Sequence, residues 1–469
     1  MASPPRKKKK KARGGAPDDG CQREGKCTFW LQKKNRFCNF NSVPGAKFCG
    51  NHGGAPLNRK RIPCPIDPSH TIYEDEVAKH VKKCNATRLR RALESKPYFS
   101  LNQNIGPEKD GFQDVASKRR REYALSLSAS DLVALVGRVH ECVSELIAAS
   151  SLRSTEEPSF LCPEDCSPWF GDGEFGPEKA KQTGNTRKHK ARHVAQQASI
   201  IGHLDRFGIT KASAVGQAPS PASPSLVELG AGKGYLGSMA VQSKNLRHLV
   251  LVDNQSFKHK ADREIKYEED YTVERIQCDL KDFDLSKLES LRSKEEEDEA
   301  VGGKKRVIVV GKHLCGGATD MALEVCGTVS QGGAGGSGAG GCPSFEGLGI
   351  ASCCHHRCTW RAFAAKEVFE SLGFDAKDFQ LISWMTGWAC CGHDAPEEEE
   401  LKKKEEEDEG KDKVFGMFTK RERTGAGVAC KRLIDLARLS ALKARGFDID
   451  FIKYCPRAMT GENMLLLAK

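Results

Sequence analysis

From residue 225 onward the chain alternates short apolar runs with longer stretches of helical spacing. The runs at 226–229, 249–252, 306–310 and 348–352 are each too short for a helix and carry Val, Leu and Ile, so they read as buried strands, and 275–278 is a candidate third strand between them. An amphipathic helix is predicted over 428–445, and two closing strands over 447–454 and 463–468. Strands that alternate with helices are the signature of an open parallel sheet, so the fold class is α/β and Rossmann-like. Upstream, 131–150 and 187–207 show apolar residues at helical spacing, with Asp131 a candidate N-cap of the first. Residues 87–130 are polar and basic and read as a linker, 151–185 as irregular, and the Pro/Ser segment 218–225 as a connector. Three inserts, 292–305 (charged), 330–342 (Gly-rich) and 394–413 (Glu/Lys-rich), read as solvated surface loops.

The first strand breaks into glycines in SLVELGAGKGYLG, residues 225–237. A buried strand that turns through glycines into a helix brings backbone N–H groups close to a ligand. The spacing alone leaves two ligands open. Gly232, Gly234 and Gly237 satisfy the dinucleotide pattern G-x-G-x-x-G, whereas Glu228 with Gly230, Gly232 and Gly234 resembles the first motif of S-adenosylmethionine-dependent methyltransferases. A glycine turn without a ligand is the third reading. Ligands of open sheets bind at the carboxyl ends of strands, and polar residues gather there: Asp253 after the second strand, Asp279 after the third, Lys312 and His313 after the fourth, and Cys353, Cys354, His355, His356 and Cys358 after the fifth.

The length, 469 residues, allows two or three domains. No apolar run approaches the length of a membrane span, and Met1 leads into a Lys/Arg cluster, not an apolar leader. The net charge of +11 is unevenly placed, because residues 1–91 carry 22 Lys and Arg against 7 Asp and Glu while the rest is slightly acidic. That asymmetry points to a polyanionic partner, nucleic acid above all; the Lys run itself reads as a disordered tail or a nuclear-import address. The expected location is intracellular, nuclear or cytoplasmic. The 20 cysteines are then metal ligands or free thiols and not disulfides. Cys27, Cys38, Cys49 and His52 follow C-x10-C-x10-C-x2-H, and Cys64, His70, His80 and Cys84 follow C-x5-H-x9-H-x3-C. Each set supplies four soft ligands with no open position, which suits a structural tetrahedral zinc. A segment of some 30 residues buries too little to fold unaided, and zinc supplies the deficit. A helix through 73–83 would place His80 and Cys84 on one face, and Cys21 is a fifth candidate ligand in the first set. Lys and Arg interleaved with Phe29, Trp30, Phe37 and Phe48 suit phosphate contact and base stacking, or else form the fingers' own small core.

Together these landmarks resemble one family: the eukaryotic tRNA ribose 2′-O-methyltransferases that modify the fourth nucleotide of the acceptor stem. The resemblance is carried by the CCCH set, IPCPIDPSHTIYEDEVAKHVKKC, VELGAGKGYLG, VDNQSFKHKADR, GKHLCGGATD, ASCCHHRCTW and KRLIDLARLSALKARGF, in that order, over residues 21–469 less the inserts. The segment 384–393, WMTGWACCGH, departs from it, and its extra cysteines take no role. The resemblance implies a seven-stranded methyltransferase sheet with a final antiparallel strand, S-adenosylmethionine as donor, two zinc ions and a tRNA substrate. It places Glu228, Gly230, Gly232 and Gly234 around the methionine part of the donor, Asp253 on the ribose and Asp279 near the adenine. The expected organisation is a basic tail (1–20), a CCCH finger (21–56), a CHHC finger (60–86), a linker and helical region (87–215) and a methyltransferase domain (216–469).

A ribose 2′-hydroxyl needs a base to withdraw its proton, worth about 10²- to 10⁴-fold. His313 is the first candidate, with the Lys312 cation favouring the ionised hydroxyl, and His355 and His356 follow. In A-form RNA the 2′-hydroxyls line a shallow minor groove, so such a target needs no base flipping. Cys353, Cys354 and Cys358 with the two histidines could make a third metal site, but adjacent ligands are poor tetrahedral geometry, and a structural role is the expectation. The competing functions are a non-catalytic RNA-binding adaptor, an RNA base methyltransferase and an NAD oxidoreductase. Base methylation is often marked by Asn-Pro-Pro-aromatic after the fourth strand, where this chain has Lys-His-Leu-Cys.

Overall fold

The structure, a computed structural model, describes residues 24–31, 36–50, 52–53, 60–68, 70–107, 114, 117–150, 159–170, 185–211, 219–257, 261–263, 265, 268–292, 305–331, 342–389 and 417–469. The basic tail, Cys21, Cys390, Cys391 and most of the three inserts lie outside them. The chain divides into two compact units, Met1–Ala92 and Leu93–Lys469.

The first unit holds two hairpins, β1 (Trp30–Leu31) with β2 (Arg36–Phe37) and β3 (Arg61–Pro63) with β4 (Thr71–Tyr73), followed by α1 (Val77–Lys83). Its buried apolar residues are almost all cysteines: Cys27, Cys38 and Cys49 in one cluster, Cys64 and Cys84 with Ile72 in the other. Cores this small cannot offset chain entropy, which is why the sequence spends its ligands here.

Helix α2 (Asn85–Glu94) leads into the second unit. There follow α3 (Ser117–Ser126), α4 (Ala129–Ser150), α5 (Asn185–Phe207), β5 (Ser225–Leu229), α6 (Tyr235–Ser243), β6 (His248–Asp253), β7 (Thr272–Gln277), β8 (Arg306–Cys315), α7 (Gly317–Gln331), β9 (Ser344–Cys353), α8 (Lys366–Ser371), α9 (Ala376–Met385), α10 (Lys420–Ala444), β10 (Ile449–Lys453) and β11 (Met464–Ala468). Seven strands form one sheet in the order β10-β11-β9-β8-β5-β6-β7. It is parallel except for β11, which runs antiparallel to both neighbours. The strands alternate as a two-sided sheet must. Leu226, Leu249, Leu251, Ile308 and Val310 pack with Ile200, Ile201 and Leu204 of α5 and Met239 of α6. Val227, Leu229, Val250, Val252 and Val309 pack with Leu323 and Val329 of α7. A third cluster joins α4, α9 and α10 through Leu132, Val139, Phe379, Leu433 and Ile434. The chain leaves β5 toward β6 and β7, then returns to β8 on its other side, so the carboxyl ends of β5 and β8 frame the crevice where such sheets bind ligands.

Four expectations shift. The fourth strand does not stop at Val310 but runs on to Cys315, so Gly311 to Cys315 are strand and not loop. Helix α4 begins at Ala129, and its cap is Ser128, whose Oγ accepts from Asp131 N at 3.1 Å; Asp131 lies in the first turn. Helix α10 begins at Lys420 because Thr419 and Glu422 form a reciprocal capping box. Residues 87–130 contain α2 and α3, and the stretch from 99 to 106 is fastened to the unit: Asn104 Nδ2, buried, donates to Leu280 O and Phe283 O at 2.6 and 2.7 Å.

Candidate active site and metal centres

The glycine turn after β5 uses three left-handed residues, Gly230 (φ +64°), Gly232 (φ +53°) and Gly234 (φ +79°). This conformation is costly for any residue with a Cβ. A Cβ on Gly230 would lie 2.5 Å from Leu314 and one on Gly234 2.8 Å from Arg275, whereas one on Gly232 would meet nothing within 4 Å. The turn is packed behind and open at Gly232, the shape of a cradle for a ligand. Glu228 is buried, and its Oε2 accepts from Gly237 N at 2.8 Å at the start of α6. Burial pushes its carboxyl up to about 7, against the pull of Arg275 and Lys312. Asp253 ends β6 and accepts from Gly232 N and Gln255 N, both at 2.8 Å. Asp279 follows β7, partly exposed, and caps the turn at Leu280–Asp282 through Lys281 N. The six residues assigned to the donor thus sit on or just after β5, β6 and β7.

Sequence reasoning missed Arg275. From β7 its guanidinium donates to Gly232 O and Lys233 O, both at 2.9 Å, and makes a bidentate pair with Asp262 at 2.7 and 3.0 Å. It braces the glycine turn from outside. Val273 and Ile276 in β7 marked a strand, and nothing local revealed the reach across to β5.

At the carboxyl end of β8, Lys312 and His313 point different ways. Lys312 is buried, and its Nζ lies 3.2 Å from His193 Nδ1 of α5. Burial lowers its amine to about 8, with Glu228 among the groups opposing. His313 is exposed and left-handed (φ +66°), where the β8–β9 register slips between Lys312 and Leu314. A bulge of this kind re-aims a side chain at the rim of a sheet. The His313 and His193 rings stand edge to face, 5.9 Å apart. His193, on α5, therefore joins the site.

His355 is not at the surface. It is buried with Nε2 2.9 Å from Asp435 Oδ2 of α10, and Asp435 also accepts from Ser352 Oγ at 2.9 Å. A base for a bulky RNA hydroxyl must be reachable, so His355 fits the role of anchoring its loop. Cys358 is buried beside Arg438, which donates to its sulfur at 3.3 Å and pairs with Asp320 and Asp435. The CCHHRC segment does not form one ligand set. Instead Cys353 and Cys354 gather with Cys315. Within that group a hydrogen bond from Cys353 holds the Cys315 thiol down at about 6, while Cys353 is pushed up.

Both predicted zinc sets come together. In the first, Cys27 and Cys49 Sγ each lie 3.4 Å from His52 Nδ1, and Cys38 Sγ lies 4.0 Å from Cys49 Sγ. In the second, Cys64 Sγ is 3.9 Å from Cys84 Sγ and 3.4 Å from His80 Nε2, and the His70 and His80 Nε2 atoms are 3.0 Å apart. Ligands at zinc distances span tetrahedron edges of about 3.4 to 3.8 Å, so both donor sets fit the ion. Asp67, 3.4 Å from His70 Nδ1, orients that ring so that Nε2 faces the ligands. Of the finger aromatics, Trp30 and Phe37 pack edge to face and Phe29 stacks on His52, while Phe29, Phe40 and Phe48 remain exposed.

Among the described residues no helix is long and apolar enough to cross a membrane. Comparison with known proteins matches residues 195–469 to the family described as Methyltransferase TRM13, residues 25–53 to the CCCH zinc finger in TRM13 protein, and residues 61–85 to the U11-48K-like CHHC zinc finger. A Mus musculus protein named tRNA:m(4)X modification enzyme TRM13 homolog is 29% identical over 97% of this chain and 96% of its own length. The Oryza sativa subsp. japonica enzyme named tRNA:m(4)X modification enzyme TRM13 is 34% identical over 50% of this chain and 91% of its own length. The Saccharomyces cerevisiae enzyme of that name is 24% identical, covering 94% of this chain and 95% of its own length.

Proposed function

The chain belongs to the Methyltransferase TRM13 family, and on that premise we propose that it transfers a methyl group from S-adenosylmethionine to the ribose 2′-hydroxyl of the fourth nucleotide of the tRNA acceptor stem. The observation that carries the donor is the cradle open at Gly232 between Glu228 and Asp253. The names of the full-length relatives, tRNA:m(4)X modification enzymes, support the substrate and the position.

When bound, the donor supplies an electrophilic methyl on a sulfonium. The chain supplies position and proton transfer. Gly230, Gly232 and Gly234 let the backbone approach the methionine part, Glu228 braces the turn from behind by accepting from Gly237 N, Asp253 takes the ribose hydroxyls and Asp279 lies toward the adenine. His313, exposed at the end of β8, takes the proton of the attacking hydroxyl. Lys312, mostly protonated at neutral pH with its amine near 8, favours the ionised hydroxyl from its buried position. The first unit, with its basic residues and the exposed Phe29, Phe40 and Phe48, grips the tRNA.

The test is methylation of an unmodified tRNA transcript with labelled donor, followed by nucleoside mass spectrometry. A 2′-O-methylated nucleoside is expected, with His313→Ala slowing turnover by about 10²-fold or more while leaving donor affinity unchanged. Label on a nucleobase would move the chemistry to a base methyltransferase. Bound tRNA with no label at all would favour the adaptor reading.

A further inference from the structure

We propose that Cys315, Cys353 and Cys354 form a third metal site, which takes one thiophilic cation such as zinc at the carboxyl ends of β8 and β9. Among the described residues they are the one group of metal-ligating side chains outside the two fingers whose donor atoms all lie within 4.8 Å of one another. The distances have an internal standard. Cys315 and Cys353 sulfurs are 3.9 Å apart, the same separation as the paired thiols of the fingers, at 4.0 and 3.9 Å. Two thiolates on one zinc stand about 3.8 Å apart, whereas a disulfide brings them to about 2.05 Å.

The backbone is shaped to hold this group. Strand pairing sets Cys315 opposite Cys353. Cys354 is left-handed (φ +50°), which brings its sulfur to 3.2 Å from that of its neighbour Cys353. Adjacent residues rarely converge so. Of the four described non-glycine residues at positive φ, two are Asn, which tolerates the conformation; the others are His313 and Cys354, at this cluster. Strain at such a residue persists where the surroundings over-determine it, and it gathers at functional sites. Gly316, also left-handed, closes the arrangement: a Cβ there would lie 2.4 Å from Arg357 O, so the turn after Cys315 rests directly on the turn after Cys354. Cys315 and Cys354 are partly exposed, which leaves the ion a route in. Binding opens the Cys353–Cys354 pair by roughly 0.6 Å to reach a tetrahedral edge. Three thiolates leave the fourth position to water, His313 Nδ1 standing 4.0 Å from the Cys353 sulfur. The ion would tie the loop after β9 to the strand that carries His313.

The test counts metal in the intact chain by plasma mass spectrometry after purification with zinc, alongside Cys315→Ser and, separately, Cys354→Gly, where glycine relieves the left-handed strain and keeps the fold. Three zinc ions per chain are expected in the parent and two in each variant. Cadmium titration, read by the thiolate charge-transfer band, should lose the same third equivalent in both. Two ions in the parent, or three retained in both variants, would overturn the proposal. So would a Cys315–Cys353 disulfide found by non-reducing peptide mapping of protein carrying two ions.

Discussion

Arg438 ties α10 to α7 and to the loop after β9, and the cost of its removal can be sized. It is almost wholly buried on α10, with Nε and Nη2 on the Asp320 carboxylate at 2.9 and 2.6 Å, Nη1 on Asp435 at 2.9 Å and Nη2 on the Cys358 sulfur. Asp320 and Asp435 are as buried as the arginine. The attraction outweighs burial, and the guanidinium is held well above its usual range. Arg438→Met keeps the volume and removes the charge. Asp435 then retains His355 and Ser352, but Asp320 retains only Ala364 N at 3.3 Å among the hydrogen bonds described. Breaking a buried pair on one side costs about 3–5 kcal/mol, a factor of roughly 10²–10³ in the folding equilibrium or more. Urea unfolding followed by tryptophan fluorescence reads this directly, because Trp360 is buried in the cluster that α10 helps to form. Replacing the partner as well, Asp320→Leu with Arg438→Met, leaves no stranded charge and should recover at least half of the loss. A cost below about 1 kcal/mol for Arg438→Met, or strictly additive effects in the double variant, would refute the reasoning.

Other perturbations read other parts of the site. Gly316→Ala places a Cβ 2.4 Å from Arg357 O in a left-handed backbone, and should cost about 2 kcal/mol or more in urea unfolding and lower methyl transfer with it. The Glu228 carboxyl, raised from an ordinary 4.5 to about 7, contributes stability that is complete below the ordinary value and lost as pH rises through about 7. Glu228→Gln should therefore gain on the parent by about 3 kcal/mol between pH 4.5 and pH 8, and a difference that stays flat across that range would contradict the assignment. Cys64→Ser should remove one zinc per chain and abolish hydrogen-exchange protection across 61–85, because Ile72 and its few neighbours cannot hold that segment without the metal.

The parts legible in the sequence were those whose signal is local. Leu226, Val227 and Leu229, and Leu249 to Val252, are apolar because both faces of the central strands are buried. The glycine turn and the eight finger ligands are named by spacing. What stayed hidden is written in pairs far apart along the chain. Arg120 lies in SKRRREYALS, a segment that reads as solvated linker, yet its guanidinium is buried and donates to His356 O, Cys358 O and Ser383 Oγ. Asp320, Cys358 and Arg438 sit in three separate motifs and become one ion network only when α7, α10 and the loop after β9 meet. The same long-range packing turned His355 inward, while a one-residue bulge, which no local sequence signal marks, turned His313 out.

The most direct measurement compares two synthetic tRNAs that differ in one atom: the ordinary acceptor stem, and one whose fourth nucleotide carries a 2′-deoxyribose. With the intact chain and labelled S-adenosylmethionine, methyl incorporation should proceed on the first and vanish on the second, while both compete equally for binding. Equal incorporation into the two would place the methyl group elsewhere and contradict ribose methylation at that nucleotide.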